Sequence, residues 1–219
     1  MKTSTALLVT LAGVLGGGAA LADVGLYSTG VGNGGLPLAT GMTDPHYTVS
    51  GASGAAYAVD DAAGYVGYWL APSSTSKWLT PRIDAGGFAG DGDPAGADYL
   101  YTTHFDLSGI DLTTASLSGL AAADNAITEI FLNGAPIGFA AVGYGSLSGF
   151  AIASGFVPGL NVLAFAVSNY NGPTGFRAEL QGHFTPSPVP EPAPPVLGLV
   201  GLAGLALVRC RRVRSDPAP

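Results

Sequence analysis

The sequence predicts an all-β fold of the sandwich or barrel kind. Of its 219 residues, 34 are glycine, and 11% are charged. Short runs rich in branched and aromatic residues are separated by Gly, Asn, Asp, Ser and Pro, which are turn-forming residues. No long helical period occurs before the C-terminal tail, so we expect strands that bury their apolar faces against one another.

The clearest predicted strand spans residues 175–184 and alternates strictly between two faces. One face is apolar, and we expect the other to face water. Residues 160–168 are apolar on both faces, which is typical of a central strand. Strands are also predicted at 99–107, 115–121 and 127–132, the last ending at the hairpin signal Asn133-Gly134. Weaker strands are predicted at 47–49, 55–59 and 78–79. The face expected to be wet carries Arg177, Glu179, Gln181 and His183.

The first 22 residues read as a secretory signal peptide. A short positive start precedes an apolar stretch, and Ala20-Leu21-Ala22 fits the small-x-small rule for cleavage. We therefore expect cleavage between Ala22 and Asp23. A buried N-terminal helix is the alternative, which Gly16-Gly17-Gly18 disfavours because each glycine costs a helix interior about 1 kcal/mol relative to alanine.

The C-terminal tail has three parts in a fixed order. A proline-rich linker, 185–195, contains Val189-Pro190-Glu191-Pro192, and its prolines keep the chain extended. The apolar run 196–208 is predicted to be a transmembrane helix, although it is shorter than the roughly 20 residues of a comfortable span. The segment 209–219 is a basic cytoplasmic tail, because arginines stay on the cytoplasmic side. Its basic stop-transfer residues are Arg209, Arg211, Arg212 and Arg214.

This tail resembles the PEP-CTERM sorting signal of Gram-negative bacteria in the order, spacing and terminal position of its parts. The resemblance implies that an exosortase-type membrane protease recognises Pro190-Glu191-Pro192. The inner membrane would then be a transient anchor, and the product would reach the cell surface or the exopolysaccharide matrix. An ordinary single-span tail anchor is the alternative.

The exported part, from residue 23 to about residue 188, is strongly acidic. It has thirteen Asp and Glu residues and three basic ones, and 3 − 13 gives a formal charge of −10. Nucleic acid is therefore disfavoured as a partner, since phosphate contacts need a basic face. The one cysteine, Cys210, lies in the basic tail, so residues 23–184 must be stable without a disulfide.

Five stretches within residues 23–184 have the order found in one class of extracellular β-domain. They are Ser76–Leu79, Tyr101–Leu107, Asp124–Gly134, Pro158–Leu163 and Asn169–Gly175. This order resembles a jelly-roll of the galactose-binding-like class. The resemblance implies a jelly-roll β-sandwich flanked by the signal peptide and the transmembrane helix. These are framework residues, so they indicate the fold and not the ligand.

Three carboxylates in a glycine-rich loop form a candidate calcium site. Asp91, Asp93 and Asp98 offer the hard oxygen ligands that calcium prefers, although their spacing is not that of an EF-hand. Jelly-rolls of the class named above often hold a structural calcium, as the resemblance implies. A solvated turn at Asp93-Pro94 is the alternative. No cofactor is expected to be required.

A carbohydrate site needs an aromatic platform and polar side chains on loops. The candidates are Trp69, Asn169, Tyr170 and Asn171. Tyr170 lies in a polar loop and is expected to be exposed.

Patterns that would indicate catalysis are weak in this sequence. Gly30-Val31-Gly32-Asn33-Gly34-Gly35 has the spacing of a dinucleotide loop, but it runs into Leu36-Pro37 instead of a helix, so a flexible arm is expected. Ser74-Thr75-Ser76-Lys77 lacks the partner motifs of a serine acyltransferase, and no G-x-S-x-G elbow occurs. We therefore expect a non-enzymatic protein that presents a β-sandwich to extracellular polysaccharide. The alternatives are a carbohydrate-active enzyme, and an adhesin or spacer without a small ligand.

Overall fold

A computed structural model describes residues 24–51, 54–60, 68–83, 97–170 and 172–188. The regular elements in these ranges are all strands, which confirms the predicted all-β sandwich. The strands are β1 (Thr43–Ser50), β2 (Gly54–Val59), β3 (Trp78–Thr80), β4 (Ala97–Asp106), β5 (Ser116–Leu132), β6 (Ala135–Pro136), β7 (Ala141–Ile152), β8 (Leu160–Asn169) and β9 (Gly175–His183).

Seven of these strands close into a ring. The hydrogen-bonded order is β5-β8-β4-β1-β2-β3-β9, and β9 pairs again with β5. Each pairing is antiparallel. Closure leaves these seven strands without a long free edge, which protects such sheets from edge-to-edge association. The strands β6 and β7 lie outside the ring, on the other edge of β5.

The long strand β5 joins the two layers of the sandwich. Its first part, Ser116–Asp124, pairs with β9, and its second part, from Ala126, pairs with β8. The sequence predicted these parts as two separate strands, and the structure shows one continuous strand that changes partner between Asp124 and Ala126. The strand then ends at Asn133-Gly134, where both residues have positive φ, 53° and 81°. This is the two-residue hairpin turn that the dipeptide predicts.

The core lies inside the ring and is rich in aromatic side chains. Phe165 on β8 and Phe176 on β9 meet with ring centroids 4.6 Å apart, and Tyr101 on β4 packs 5.0 Å from Phe176. Strand β8 pairs with β4 on one edge and β5 on the other, as expected for a central strand. Each large aromatic side chain removes much apolar area from water on folding, so this cluster stabilises the closed arrangement of the seven strands.

A segment before the first strand extends the sheet along β9. Thr29 donates its backbone N–H to Ala178 O at 3.0 Å, and Ser28 Oγ accepts from Leu180 N at 3.1 Å. Gly30 donates its N–H to the buried carboxylate of Asp44 at 2.7 Å. The glycine-rich segment from Gly30 was expected to be a flexible arm. That prediction was wrong, because backbone hydrogen bonds close it into a turn packed on the sheet.

Two features of the sandwich were not predicted from the sequence. Strand β7 was missed because its glycines and serines look like turn residues, yet it pairs with β5 along most of its length. A second apolar cluster forms on the outer side of the sheet, where Trp69 packs against Trp78 with centroids 4.7 Å apart.

The predicted ends of the chain lie outside the described residues. This applies to the signal peptide with its cleavage site Ala22–Asp23, the motif Val189–Pro192, the apolar run 196–208 and the arginines Arg209, Arg211, Arg212 and Arg214. Within the ranges that are described, nothing helical has the length and hydropathy that a bilayer crossing requires.

Candidate functional site

The side chain of Arg177 anchors a loop to the outer side of β9. The guanidinium donates to Ala71 O at 2.6 Å, and its Nε donates to Ser76 Oγ at 2.7 Å. The side chain is only 2% exposed. The sequence placed Arg177 on a wet face, which was wrong because the segment from Leu70 to Ser76 covers this part of the strand. A buried cation needs several acceptors to offset its lost hydration, and the loop supplies them.

Two residues further along β9, the carboxylate of Glu179 completes this network. Its Oε1 accepts hydrogen bonds from Ser76 Oγ at 2.8 Å, Ser73 Oγ at 2.9 Å and Arg177 Nη2 at 3.0 Å. Partial burial by itself would raise the pKa of Glu179. The hydrogen bonds from the two serines and from Arg177 outweigh that effect and lower the pKa, so the group is ionised at neutral pH.

A groove runs across the outer face of three neighbouring strands, β9, β5 and β7. Leu120 on β5 lies opposite Glu179 on one side and opposite Gly149 on the other. Ser118 lies two residues away and therefore on the same face, between Gln181 and Ala151. The small residues on β7 leave the floor open. The groove has a volume of about 790 Å³, within the range of ligand-binding clefts.

The lining of this groove combines an apolar floor with polar margins. Leu120 is 44% exposed, which is unusual for a leucine at the centre of three paired strands. Hydroxyl groups of Ser28, Thr75 and Ser118, the amide of Gln181 and the carboxylate of Glu179 surround it. Such a surface can pack against the CH groups on the face of a cyclic ligand while it forms hydrogen bonds with polar groups at the edge of that ligand.

Trp69 is not available as an aromatic platform. Its side chain is 4% exposed, and its indole Nε1 donates to Asp124 Oδ2 at 2.8 Å. The prediction that Trp69 faces a sugar was wrong, because the ring packs on Trp78 beneath the surface. Its role is to hold the base of the loop that Arg177 anchors.

The other candidate sugar-binding residues differ in how much of their side chains is exposed to solvent. Tyr170 is 58% exposed, as expected for a residue of a polar loop, and its backbone N–H donates to Asn125 Oδ1 at 2.7 Å. Asn169 is fully buried, and its Nδ2 donates to Gly172 O at 3.3 Å, so it stabilises the turn after β8. Asn171 lies outside the described residues. Asn169 is the last residue of β8 and Tyr170 follows it, and neither is among the residues that line the groove.

The candidate calcium loop is described only at its end. Asp98 is exposed on β4 and pairs with Ser168 on β8, whereas Asp91 and Asp93 lie outside the described residues. In the part of the chain that the structure describes, no group of three or more His, Cys, Asp or Glu side chains is arranged to hold a metal ion.

The sequence contained a partial signal for the groove. The alternation along β9 correctly placed Glu179 and Gln181 on the outer face. Ser118 and Leu120 were within a predicted strand, but their face could not be assigned, because β7 and the register that brings it beside them were not predicted. The groove therefore depends on pairing between strands that are far apart in sequence.

Comparison with known proteins gives little further information. No family model matches the sequence, and no curated protein matches it. Among solved structures, the PA14 sugar-binding domain from an RTX adhesin is similar over 41% of this chain, with 16% sequence identity and a TM-score of 0.24. The match spans 51%, about half, of that chain. A likeness of this size does not determine a function.

Proposed function

We propose that this chain is an exported, non-enzymatic surface or matrix protein whose β-sandwich binds extracellular polysaccharide in the groove across β9, β5 and β7. The single observation that carries the binding proposal is the groove itself. It places a half-exposed leucine, Leu120, among hydroxyl, amide and carboxylate groups in a cleft of about 790 Å³.

The composition of the groove fits a sugar polymer better than an apolar small molecule. A sugar ring presents CH groups on its faces and hydroxyl groups around its edge. Leu120 can contact the former, while Glu179, Gln181 and Ser118 can hydrogen-bond the latter. The groove is open to solvent and not enclosed, which suits a polymer because a chain need not fit wholly inside it.

The protonation states and positions of the carboxyl groups favour a polysaccharide-binding protein over a glycosidase. A glycosidase needs an acid with a raised pKa that reaches the scissile bond. Glu179 is in the groove, but its pKa is lowered by the serines and Arg177. Burial raises the pKa of Asp124 to about 6, but this side chain is 4% exposed and hydrogen-bonded to Trp69, away from the groove.

The proposal of export and sorting rests on the two ends of the sequence. The signal peptide implies secretion. The tail implies transient retention in the inner membrane and processing by an exosortase-type protease, through its resemblance to PEP-CTERM signals. The acidic charge of the exported part suits a hydrated polysaccharide environment.

Affinity electrophoresis tests the binding proposal. Native gels that contain a neutral polysaccharide, such as hydroxyethylcellulose, dextran or galactomannan, are compared with a gel that contains none. We expect at least one of these polysaccharides to retard the purified protein. Leu120→Glu should abolish the retardation because it places a charge on the groove floor. Leu160→Glu is the matched control, since Leu160 is 62% exposed on β8 and outside the groove. Equal retardation of both variants would remove the groove from the proposal, and turnover of chromogenic glycosides would favour the enzyme alternative.

A further inference from the structure

The two carboxylate oxygens of Glu179 have different surroundings. Oε1 is enclosed by donors from Ser73, Ser76 and Arg177. The Oε2 atom accepts no hydrogen bond within the described part of the chain, and the side chain is 27% exposed where it lines the groove. The network thus holds the carboxylate in one position through Oε1, and Oε2 can still accept a hydrogen bond from a ligand in the groove.

Among the residues that the structure describes, those lining the groove include no cation that could bind an acid group. Arg177 is 2% exposed, and its donors are taken by Ser76, Ala71 and Glu179. Lys77 lies near this loop but pairs with Asp60 at 2.7 Å. None of the described residues that line the groove is basic. An acidic sugar would therefore lose its hydration beside Glu179 without gaining a counter-charge.

We infer that the groove selects polysaccharides that carry hydroxyl groups and no acid groups, and that Glu179 is the residue that sets this selection. The inference rests on the proposed function and names the ligand class of the same groove. Glu179 accepts hydrogen bonds from sugar hydroxyls through Oε2, and it repels uronic acid, sulfate and phosphate groups. The formal charge of −10 on the exported part acts in the same direction at longer range.

The selection can be measured by comparing a neutral polymer with an acidic one. We expect the full-length protein to be retarded by a neutral polymer, hydroxyethylcellulose or whichever neutral polysaccharide binds, and to pass polygalacturonate without retardation. Raising the salt concentration from about 0.05 M to about 0.5 M should leave neutral binding unchanged, since no ion pair with the ligand is involved. Retardation by polygalacturonate as strong as that by the neutral polymer would overturn the inference while leaving polysaccharide binding intact.

The variant Glu179→Gln separates a role in selection from a role in folding. Its amide oxygen can still accept from Ser73, Ser76 and Arg177, so the loop should remain in place. The affinity for the neutral polymer should fall about tenfold, as expected when a hydrogen bond to a charged acceptor is weakened. The repulsion between Glu179 and an acid group is then removed, so the ratio of the affinity for polygalacturonate to the affinity for the neutral polymer should rise.

Two further variants complete the design. Glu129→Gln makes the same change of charge at a carboxylate outside the groove, where Oε1 accepts from the N–H groups of Ile130, Gly138 and Phe139. It should leave the ratio of the two affinities unchanged. Ser118→Arg adds a cation to the groove without touching the network around Glu179, and it should create binding to polygalacturonate. An unchanged ratio in both Glu179→Gln and Ser118→Arg contradicts the inference. Failure of every neutral polymer to bind the wild type contradicts the proposed function itself.

Discussion

Trp69 and Asp124 are joined by a hydrogen bond of 2.8 Å that links the start of the loop beside the groove to strand β5. Trp69 begins the segment that Arg177 and Glu179 hold in place, and Asp124 lies where β5 leaves β9 for β8. The Asp124 backbone O also accepts from Thr174 Oγ1 at 2.9 Å. The loop that borders the groove is therefore fixed at both ends, by Asp124 at its start and by Glu179 at its finish.

Asp124 should make the stability of the fold depend on pH. Burial raises its pKa from 3.8 to about 6, and the hydrogen bond from Trp69 offsets only part of that rise. The folded protein therefore holds the Asp124 proton more tightly than the unfolded chain does. Protonated Asp124 contributes to the free energy of unfolding; this contribution is fully present below pH 3.8 and is lost as the pH rises through about 6. The loss is about 3 kcal/mol, from a shift of roughly two pKa units.

The variant Asp124→Asn tests this dependence. Asparagine can still accept the Trp69 hydrogen bond but does not ionise, so the free energy of unfolding of the variant relative to the wild type should rise by about 2.5 kcal/mol between pH 4 and pH 7. Denaturant unfolding at both pH values measures the difference. Comparing the two proteins at each pH cancels the opposite contributions of Asp60 and Glu179, whose pKa values are lowered. A difference that does not change with pH would contradict the prediction.

Gly119 should not tolerate a side chain. A Cβ at this position would lie 2.4 Å from Cζ of Phe150. Phe150 cannot easily move, because it packs on Phe139 at 5.6 Å and Phe165 at 5.9 Å between ring centroids. We expect Gly119→Ala to lower the free energy of unfolding by about 1–3 kcal/mol, the usual cost of overpacking. Gly145→Ala on β7 is the control, since its Cβ would meet nothing within 4 Å. Equal stability of the two variants would show that the core can make room.

The sorting motif should be required for release from the inner membrane. Replacing Pro190, Glu191 and Pro192 with alanine removes the residues that an exosortase-type protease would read, while the apolar run and the arginines remain. We expect the full-length variant to accumulate in the inner-membrane fraction, as followed by immunoblotting of separated fractions. A variant that loses its tail and reaches the surface at the wild-type rate would exclude this motif as the signal.

Calcium should stabilise the fold if Asp91, Asp93 and Asp98 form a site. An ion that binds only the folded state adds about 2.7 kcal/mol at a hundredfold excess over Kd. This corresponds to a rise in Tm of roughly 5 °C for a domain of this size. We expect the rise in calcium relative to EDTA for the wild type and for Asp106→Ala, and no rise for Asp93→Ala. Identical melting of the wild type in calcium and in EDTA would make this loop an ordinary turn.

The elements that were predicted best are those whose sequence signal comes from residues close together in the chain. The alternation along β9, the double-sided apolar run of β8 and the Asn133-Gly134 turn each depend on neighbouring residues, and the structure contains all three. Strand β7 was missed because five of its residues, from Gly143 to Gly149, are glycine or serine, which favour turns in isolation. Its pairing with β5 supplies the stabilisation that its own composition lacks.

The sequence by itself determined that residues 23–184 form an all-β, acidic domain, because strand periodicity, turn residues and net charge are properties of short segments or simple sums. Only the tertiary structure decided which polar residues are buried and which face a ligand. Arg177 and Glu179 look alike in an alternating strand, yet a loop about 100 residues earlier covers the first and leaves the second at a groove. Burial of this kind depends on contacts between distant segments, and these become defined only when β5 pairs with both β7 and β9.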